Sequence, residues 1–346
     1  MAVFKKWLES LNKMATPLVM RAERLTPTWL AVQPGAEAVR VPVKDISTSG
    51  VYLLTEKRWD LGQEFPLELL GEGFGKEVDP ELHVAARARV VRHGEDGVAF
   101  SFVLPEALDP KLWETLINTA FLMSDYNHIV LAFRMLRTVL ILCRLCPSST
   151  KEVMAVLRGE LDGPRTDAAI EIVGRAEEFL RLHDNAHGLQ AHPGLVARIL
   201  REGSWATDEV SRDLWAGLLV ASCEANGAGE SNHEYIDLMI HLTPTQARIL
   251  VAGCTKAKEQ MGGHMNAPLP TVLATPEEMI HITGLYDLSR IATDMAYLFH
   301  NGLMEELFDF SSYIPTESFR ITPSALGMKL FLACTAQSGS SAEEHA

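Results

Sequence analysis

The sequence predicts an α+β multidomain protein: a small antiparallel β-barrel followed by a mainly α-helical domain. Three observations predict it. Apolar residues alternate with period two from about Trp29 to Val103, in short stretches separated by turn residues. After Pro110 the period becomes helical almost to the end. The charge changes with the pattern: residues 1–110 carry 13 Lys/Arg and 16 Asp/Glu, whereas the remaining 236 carry 18 and 29. A chain of 346 residues has room for two or three domains.

Apolar residues make up 47% and charged residues 22%, the balance of a folded soluble protein rather than a disordered one. The net charge of −14 argues against binding long nucleic acid, because phosphate neutralisation needs clustered cations. It leaves room for a small anion held by a few arginines. Five cysteines, an odd number, read as reduced cytosolic thiols. The N-terminus shows no apolar signal region, being broken by Lys5, Lys6, Glu9 and Lys13. The longest apolar run, Ile129 to Cys146, contains Arg134, Arg137 and Arg144, and a membrane span would have to bury all three. A cytoplasmic location is expected.

The elements follow in order. Val3, Phe4, Trp7, Leu8, Leu11 and Met14 form one stripe of a short amphipathic helix. Docking on its own protein and weak contact with a membrane surface are both open for it. Strands are predicted at Trp29–Gln33, Ala38–Val43, Gly50–Thr55, Glu64–Leu70, Leu82–Arg92 and Gly97–Phe102. Turns at Pro34-Gly35, Ser47–Gly50, Asp60–Gly62, Gly71–Gly75 and Gly94–Gly97 separate them. Leu82, Val84, Ala86, Ala88 and Val90 suit the barrel interior.

Helices are predicted at Pro110–Met123, His128–Cys146, Thr150–Leu157, Thr166–Leu182, Pro193–Arg201 and Asp208–Cys223. Thr243-Pro244-Thr245-Gln246 and Thr275-Pro276-Glu277-Glu278 read as capping boxes, and Thr322-Pro323 as a third start of that kind. The apolar helix His128–Cys146 is expected to pack within the chain or against a second copy in a homodimer. The expected division is an N-terminal helix (1–18), a barrel (19–110), linking helices (111–165), a helical effector domain (166–336) and a flexible tail (337–346).

The chemistry-bearing residues of the first half are Arg21 and Arg24, just before the first strand, and Asp45-Ile46-Ser47-Thr48-Ser49-Gly50 at a strand junction. Guanidinium forks suit phosphate oxygens and the O6/N7 edge of guanine. A carboxylate accepts from amide-like N–H donors such as those of guanine. Asp and Ser in such a stretch also make ordinary local turn bonds. In order and context the segment resembles the PilZ domain, a bacterial receptor module for cyclic di-GMP. The resemblance covers residues 19–110: Arg21 and Arg24, Asp-x-Ser-x-x-Gly (Asp45, Ser47, Gly50), Val51–Leu54, the Gly62 turn, Glu64–Leu70, Ala88–Arg92 and Gly97–Phe102. The family pattern spaces its two arginines four apart; here they are three apart, with Met20 at the fourth position before Arg24. The resemblance implies that Arg21 and Arg24 wrap the phosphates and one guanine. Asp45, Ser47 and Gly50 would read the other face of guanine.

The second half offers less. Cys143-Arg144-Leu145-Cys146 lacks a second ligand pair for zinc and ends an apolar helix, so core thiols are the expectation. His183, His187 and His192 read as a polar loop rather than a metal site. From Asp208 the chain resembles the helical module of abortive-infection alpha-type proteins, and its last part also resembles a winged helix. From His241 on there are 6 Lys/Arg against 11 Asp/Glu, which disfavours DNA reading and favours a protein-contact module. Phosphate-loop, nucleophile-elbow, zincin and dinucleotide motifs are absent from the sequence, so no catalytic role and no cofactor is expected. Two readings stand: a cyclic di-GMP-binding regulator signalling to an unidentified protein through its helical domain, or a PilZ-type scaffold without ligand that serves protein contacts, for example in phage defence.

Overall fold

A computed structural model of the chain describes residues 24–35, 39–72, 77–122, 125–147, 150, 153–155, 163–181, 189–224, 232–262, 268–305 and 318–335. The N-terminal stripe of residues 3–14, Arg21, His183, His187 and the tail lie outside the described residues. The chain divides into two compact units, Met1–Gly163 and Pro164–Ala346.

In the first unit, β1 (Leu30–Pro34), β2 (Val41–Ser47), β3 (Gly50–Leu54), β4 (Glu64–Glu72), β5 (Val78–His93) and β6 (Gly97–Phe102) close into an antiparallel barrel. The strand order is β1-β2-β3-β6-β5-β4. Closure removes the unpaired edges that an open sheet would expose. Leu82, Val84, Ala86, Ala88 and Val90 are all buried, and Ile46, Leu53, Leu67, Leu69 and Phe100 join them inside. A slip of one residue would turn this whole set outward, so the core pins the register.

Two strands differ from the sequence reading. β2 begins later than Ala38 and runs on through Asp45, Ile46 and Ser47, which the turn chemistry had placed in a loop. Ile46 decides the matter: it is fully buried and pairs with Val51, so the turn shrinks to Thr48-Ser49. β5 begins four residues before Leu82, at Val78, and runs through Asp79-Pro80. Pro80 falls where the β4–β5 ladder is irregular, between the pairs Leu70–His83 and Glu72–Val78, so its missing N–H breaks no regular ladder.

Two long helices follow the barrel in this unit, α1 (Pro110–Leu122) and α2 (Tyr126–Leu145). Asp125 caps α2 by accepting from the His128 N–H at 3.2 Å. α2 packs on α1 and on β5. The Tyr126 hydroxyl donates to Asp79, and Arg134 lies 3.7 Å from Glu81. Trp29 stacks on Phe121 at 5.6 Å, and Phe121 meets Phe133 edge-on at 5.8 Å, which ties β1 to both helices. Cys143 and Cys146 are buried at the end of α2.

The second unit holds α3 (Gly163–Arg181), α4 (Pro193–Gly203), α5 (Glu209–Ala221), α6 (His233–Ile240), α7 (Pro244–Met261), α8 (Pro276–Thr283), α9 (Leu288–His300) and α10 (Ala325–Cys334). Four two-residue strands pair here: β7 (Gln190–Ala191) with β8 (Cys223–Glu224), and β9 (Leu273–Ala274) with β10 (Phe319–Arg320). Both capping boxes form as read, Thr243 with Gln246 and Thr275 with Glu278. The third does not. Ser324 caps α10, while Thr322 is buried and its hydroxyl accepts the Val272 N–H at 2.9 Å. Burial forces that hydroxyl to find a partner across β9–β10 rather than at a helix start.

α8, α9, β10 and α10 follow in the order of the winged-helix reading. The acids of α9 serve the fold: Asp287 caps the helix, and Asp294 accepts from Gln246 Nε2 at 2.9 Å. Arg175 on α3 holds α5 through Asp213 at 2.5 Å and its own turn through Glu171 at 3.1 Å. No described helix is long and apolar enough to cross a membrane.

Candidate functional site

The segment before β1 is brought to the barrel by one backbone bridge. Leu25 and Ile46 exchange N–H···O=C bonds of 2.9 and 2.8 Å. That bridge sets Arg24 beside Asp45, with Nη1 3.5 Å from Oδ2. The Arg24 side chain is 60% exposed and the Asp45 side chain only 18%. Arg24, Asp45, Ser47 and Gly50 line one open cleft of about 270 Å³ on the outer face of the barrel.

Strand register explains the grouping. Asp45 on β2 pairs with Tyr52 on β3, Tyr52 with Ala99 on β6, and Ala99 with Arg92 on β5. The next outward-facing row runs Ser47, Gly50, Ser101, Arg89, Glu64 across five strands. Two bulges frame the first row. The register shifts between Val43 and Asp45 and again between Val90 and Arg92, displacing Lys44 and Val91.

The β2–β3 turn is held from several sides. Trp113 Nε1 on α1 donates to the Thr48 carbonyl at 2.7 Å. The Phe102 N–H and Ser101 hydroxyl both donate to the Ser49 carbonyl, at 3.0 and 3.2 Å. Ser47 Oγ lies 3.1 Å from Ser49 Oγ and donates to the Gly50 carbonyl at 3.3 Å. Gly50 has a packing reason: a Cβ there would overlap the Phe100 carbonyl oxygen. The Asp-x-Ser-x-x-Gly run therefore ends in a glycine because β3 and β6 approach too closely for a side chain.

Beside Asp45 lies a polar cluster that the sequence reading missed. Asp96 accepts from Lys44 Nζ at 2.5 Å and from the Tyr52 hydroxyl at 2.8 Å. The Lys44 hydrogen bond, followed by that of Tyr52, holds the Asp96 carboxyl below its usual value. Asp96 in turn raises Lys44 and Tyr52 above theirs. Lys44 and Arg92 sit over the Tyr52 ring, 5.2 and 5.9 Å from its centroid.

Arg92 lines the same cleft as Asp45. Strict alternation after Val90 would have pointed it into the core, where an unpaired guanidinium is not tolerated. A cation at an inward-parity position was the available sign of the Val91 bulge. Among the described residues, no group of three or more His, Cys, Asp or Glu could hold a metal ion.

A closed barrel with Asp-x-Ser-x-x-Gly at its second hairpin and an arginine on the lead-in segment is a PilZ-type arrangement. The PilZ domain family matches residues 21–118, and the family described as Abortive infection alpha matches residues 169–303. One match falls in each compact unit, and both agree with the resemblances read from the sequence. No curated protein and no solved structure matches the chain significantly.

Proposed function

We propose that the protein is a cyclic di-GMP-binding regulator whose barrel takes the nucleotide in the cleft between Arg24 and the β2–β3 hairpin. The observation that carries this reading is the convergence of Arg24, Asp45, Ser47 and Gly50 on one cleft. Arg24 offers a fork to phosphate or to the guanine O6/N7 edge, and Asp45 accepts from guanine N–H groups. Arg21 adds a second fork from the same lead-in segment. The Arg24–Asp45 pair presents no barrier to this, since an ion pair with a 60% exposed arginine contributes only ~0–1 kcal/mol. An incoming phosphate replaces one exposed partner by another.

Binding engages Arg21 and Arg24 on the nucleotide at the barrel, and that engagement is the event read by a protein partner through the helical unit. The role is recognition and not catalysis, and neither matched family description names a reaction. An odd count of five cysteines, four of them buried, fits a reducing cytoplasm. Calorimetric titration of the full chain with cyclic di-GMP tests the reading. Saturable heat is expected, abolished in Asp45→Ala and Arg24→Ala. Folded wild-type protein that gives no heat at tens of micromolar nucleotide would overturn it.

A second reading has its own observation, the Abortive infection alpha match over residues 169–303. In it the barrel serves as a ligand-free platform for protein contacts, as in a phage-defence module. The same titration separates the two.

A further inference from the structure

The cations around the cleft differ in how they are occupied. Arg24 faces Asp45. Lys44 is bound to Asp96. Arg87 and Arg89 both reach Glu64, at 3.4 and 2.6 Å. Arg58 donates to the Thr55, Lys57, Gly94 and Glu95 carbonyls. Arg92 is exposed, lines the cleft, and among the described residues has no carboxylate or carbonyl partner; its guanidinium rests over the Tyr52 ring.

That ring is a fixed platform. Tyr52 is 7% exposed, and its hydroxyl is anchored on Asp96. Gly94 and Gly97 lie so close that an added Cβ at either would collide with the ring or its hydroxyl. A guanidinium over an aromatic face leaves its five N–H donors available to another partner. The register row Asp45–Tyr52–Ala99–Arg92 places this fork on the strand side of the cleft, across from Arg24.

We propose that Arg92 is a phosphodiester-binding residue of this cleft, a guanidinium supplied by the barrel wall in addition to those of the lead-in segment. The inference rests on the cyclic di-GMP reading. It explains how a ligand with two phosphodiesters is gripped although Arg21 and Arg24 are three residues apart rather than four. The lead-in segment takes one phosphate, and Arg92 takes phosphate from a strand whose backbone is fixed before binding.

Titration of the full chain with cyclic di-GMP, at low and high salt, tests the proposal with Arg92→Ala, Arg92→Lys and Arg87→Ala. Arg92→Ala is expected to weaken binding about tenfold or more, the scale of one charge-assisted hydrogen bond, and to lessen the loss of affinity at high salt. Arg92→Lys retains the charge and is expected to fall between wild type and Arg92→Ala. Arg87→Ala, whose partner is Glu64, is expected to bind like wild type. Unchanged melting temperatures would show that each variant is folded. Equal affinities of wild type and Arg92→Ala would overturn the role of Arg92 and leave the cyclic di-GMP reading standing. Absence of binding by wild type would overturn that reading and this inference with it.

Discussion

Arg24 stands 3.5 Å from Asp45 because the residues next to them, Leu25 and Ile46, are locked in a two-bond backbone bridge. The bridge is structural, since Ile46 is fully buried in the barrel. The ion pair is not, since Arg24 is largely exposed. The two contributions separate experimentally. Arg24→Ala and Asp45→Ala are expected to lower stability by no more than ~1 kcal/mol, a shift of a few degrees in thermal melting. Both should nevertheless abolish nucleotide binding. A drop of ten degrees or more in either melt would mean that the pair holds the barrel together and is not a ligand site.

Gly50 gives the opposite profile. Its Cβ would overlap a backbone oxygen on β6, and backbone in a closed ladder cannot give way. Gly50→Ala is expected to cost ~3 kcal/mol or more. Gly62, in the turn before β4, is the comparison: its φ is +83° with open space around it, so Gly62→Ala pays only for left-handed backbone, ~1–2 kcal/mol. Denaturant melts of the two variants check the order. Equal losses would mean that β3 and β6 can separate at residue 50 without consequence.

These positions also show what the sequence could and could not disclose. The barrel core was legible because β5 alternates strictly from Leu82 to Val90, and burial follows that alternation. Gly50 was legible as a motif residue, but its reason lies on β6, about fifty residues away, and needs the β3–β6 pairing. Asp45 and Ser47 looked like turn residues because Asp and Ser favour turns locally; burial of Ile46 between them overrides that preference. Arg92 was hidden by a bulge, which resets parity and whose one sign in the sequence is a cation at an inward-parity position. Thr322 was misread for a related reason: Thr-Pro starts helices, yet here burial assigns the hydroxyl to Val272.

The Lys44–Asp96–Tyr52 cluster predicts a pH dependence. Asp96 is depressed below 3.8 by Lys44 and then Tyr52. A carboxyl that holds its proton less readily when folded adds stability that is complete above 3.8 and drains as pH falls through the lower, folded value. Lys44 is the mirror case: raised above 10.5 chiefly by Asp96, its contribution is complete below 10.5 and drains as pH rises through the folded value. Asp96→Asn removes both linkages. The melting-temperature gap between wild type and Asp96→Asn is therefore expected to be widest in the neutral range and to close toward strong acid. A gap of constant width down to the acid end would show that Asp96 is not held as a paired carboxylate.

In the second unit, α5 and α10 touch at backbone level, and the contact can be read out chemically. A Cβ at Gly217 would overlap the Cys334 carbonyl oxygen, so helix approach depends on the missing side chain. Cys334 is fully buried beside Met239, 3.5 Å from its sulfur, and burial pushes its thiol well up. Cys254 is pushed up to about 12, and Cys143 is raised too, both by burial. Thiolate is the reactive form, so these groups should label slowly in the folded protein. With an aromatic disulfide reagent, fast labelling is expected only at the half-buried Cys223, and at all five cysteines in guanidinium. Gly217→Ala forces α10 away from α5 and is expected to cost ~1–3 kcal/mol. It should bring Cys334 into the fast-labelling class while Cys143, in the other unit, stays protected. Equal protection of Cys334 in wild type and Gly217→Ala would show that the helices accommodate the methyl by sliding and that their close approach is not required.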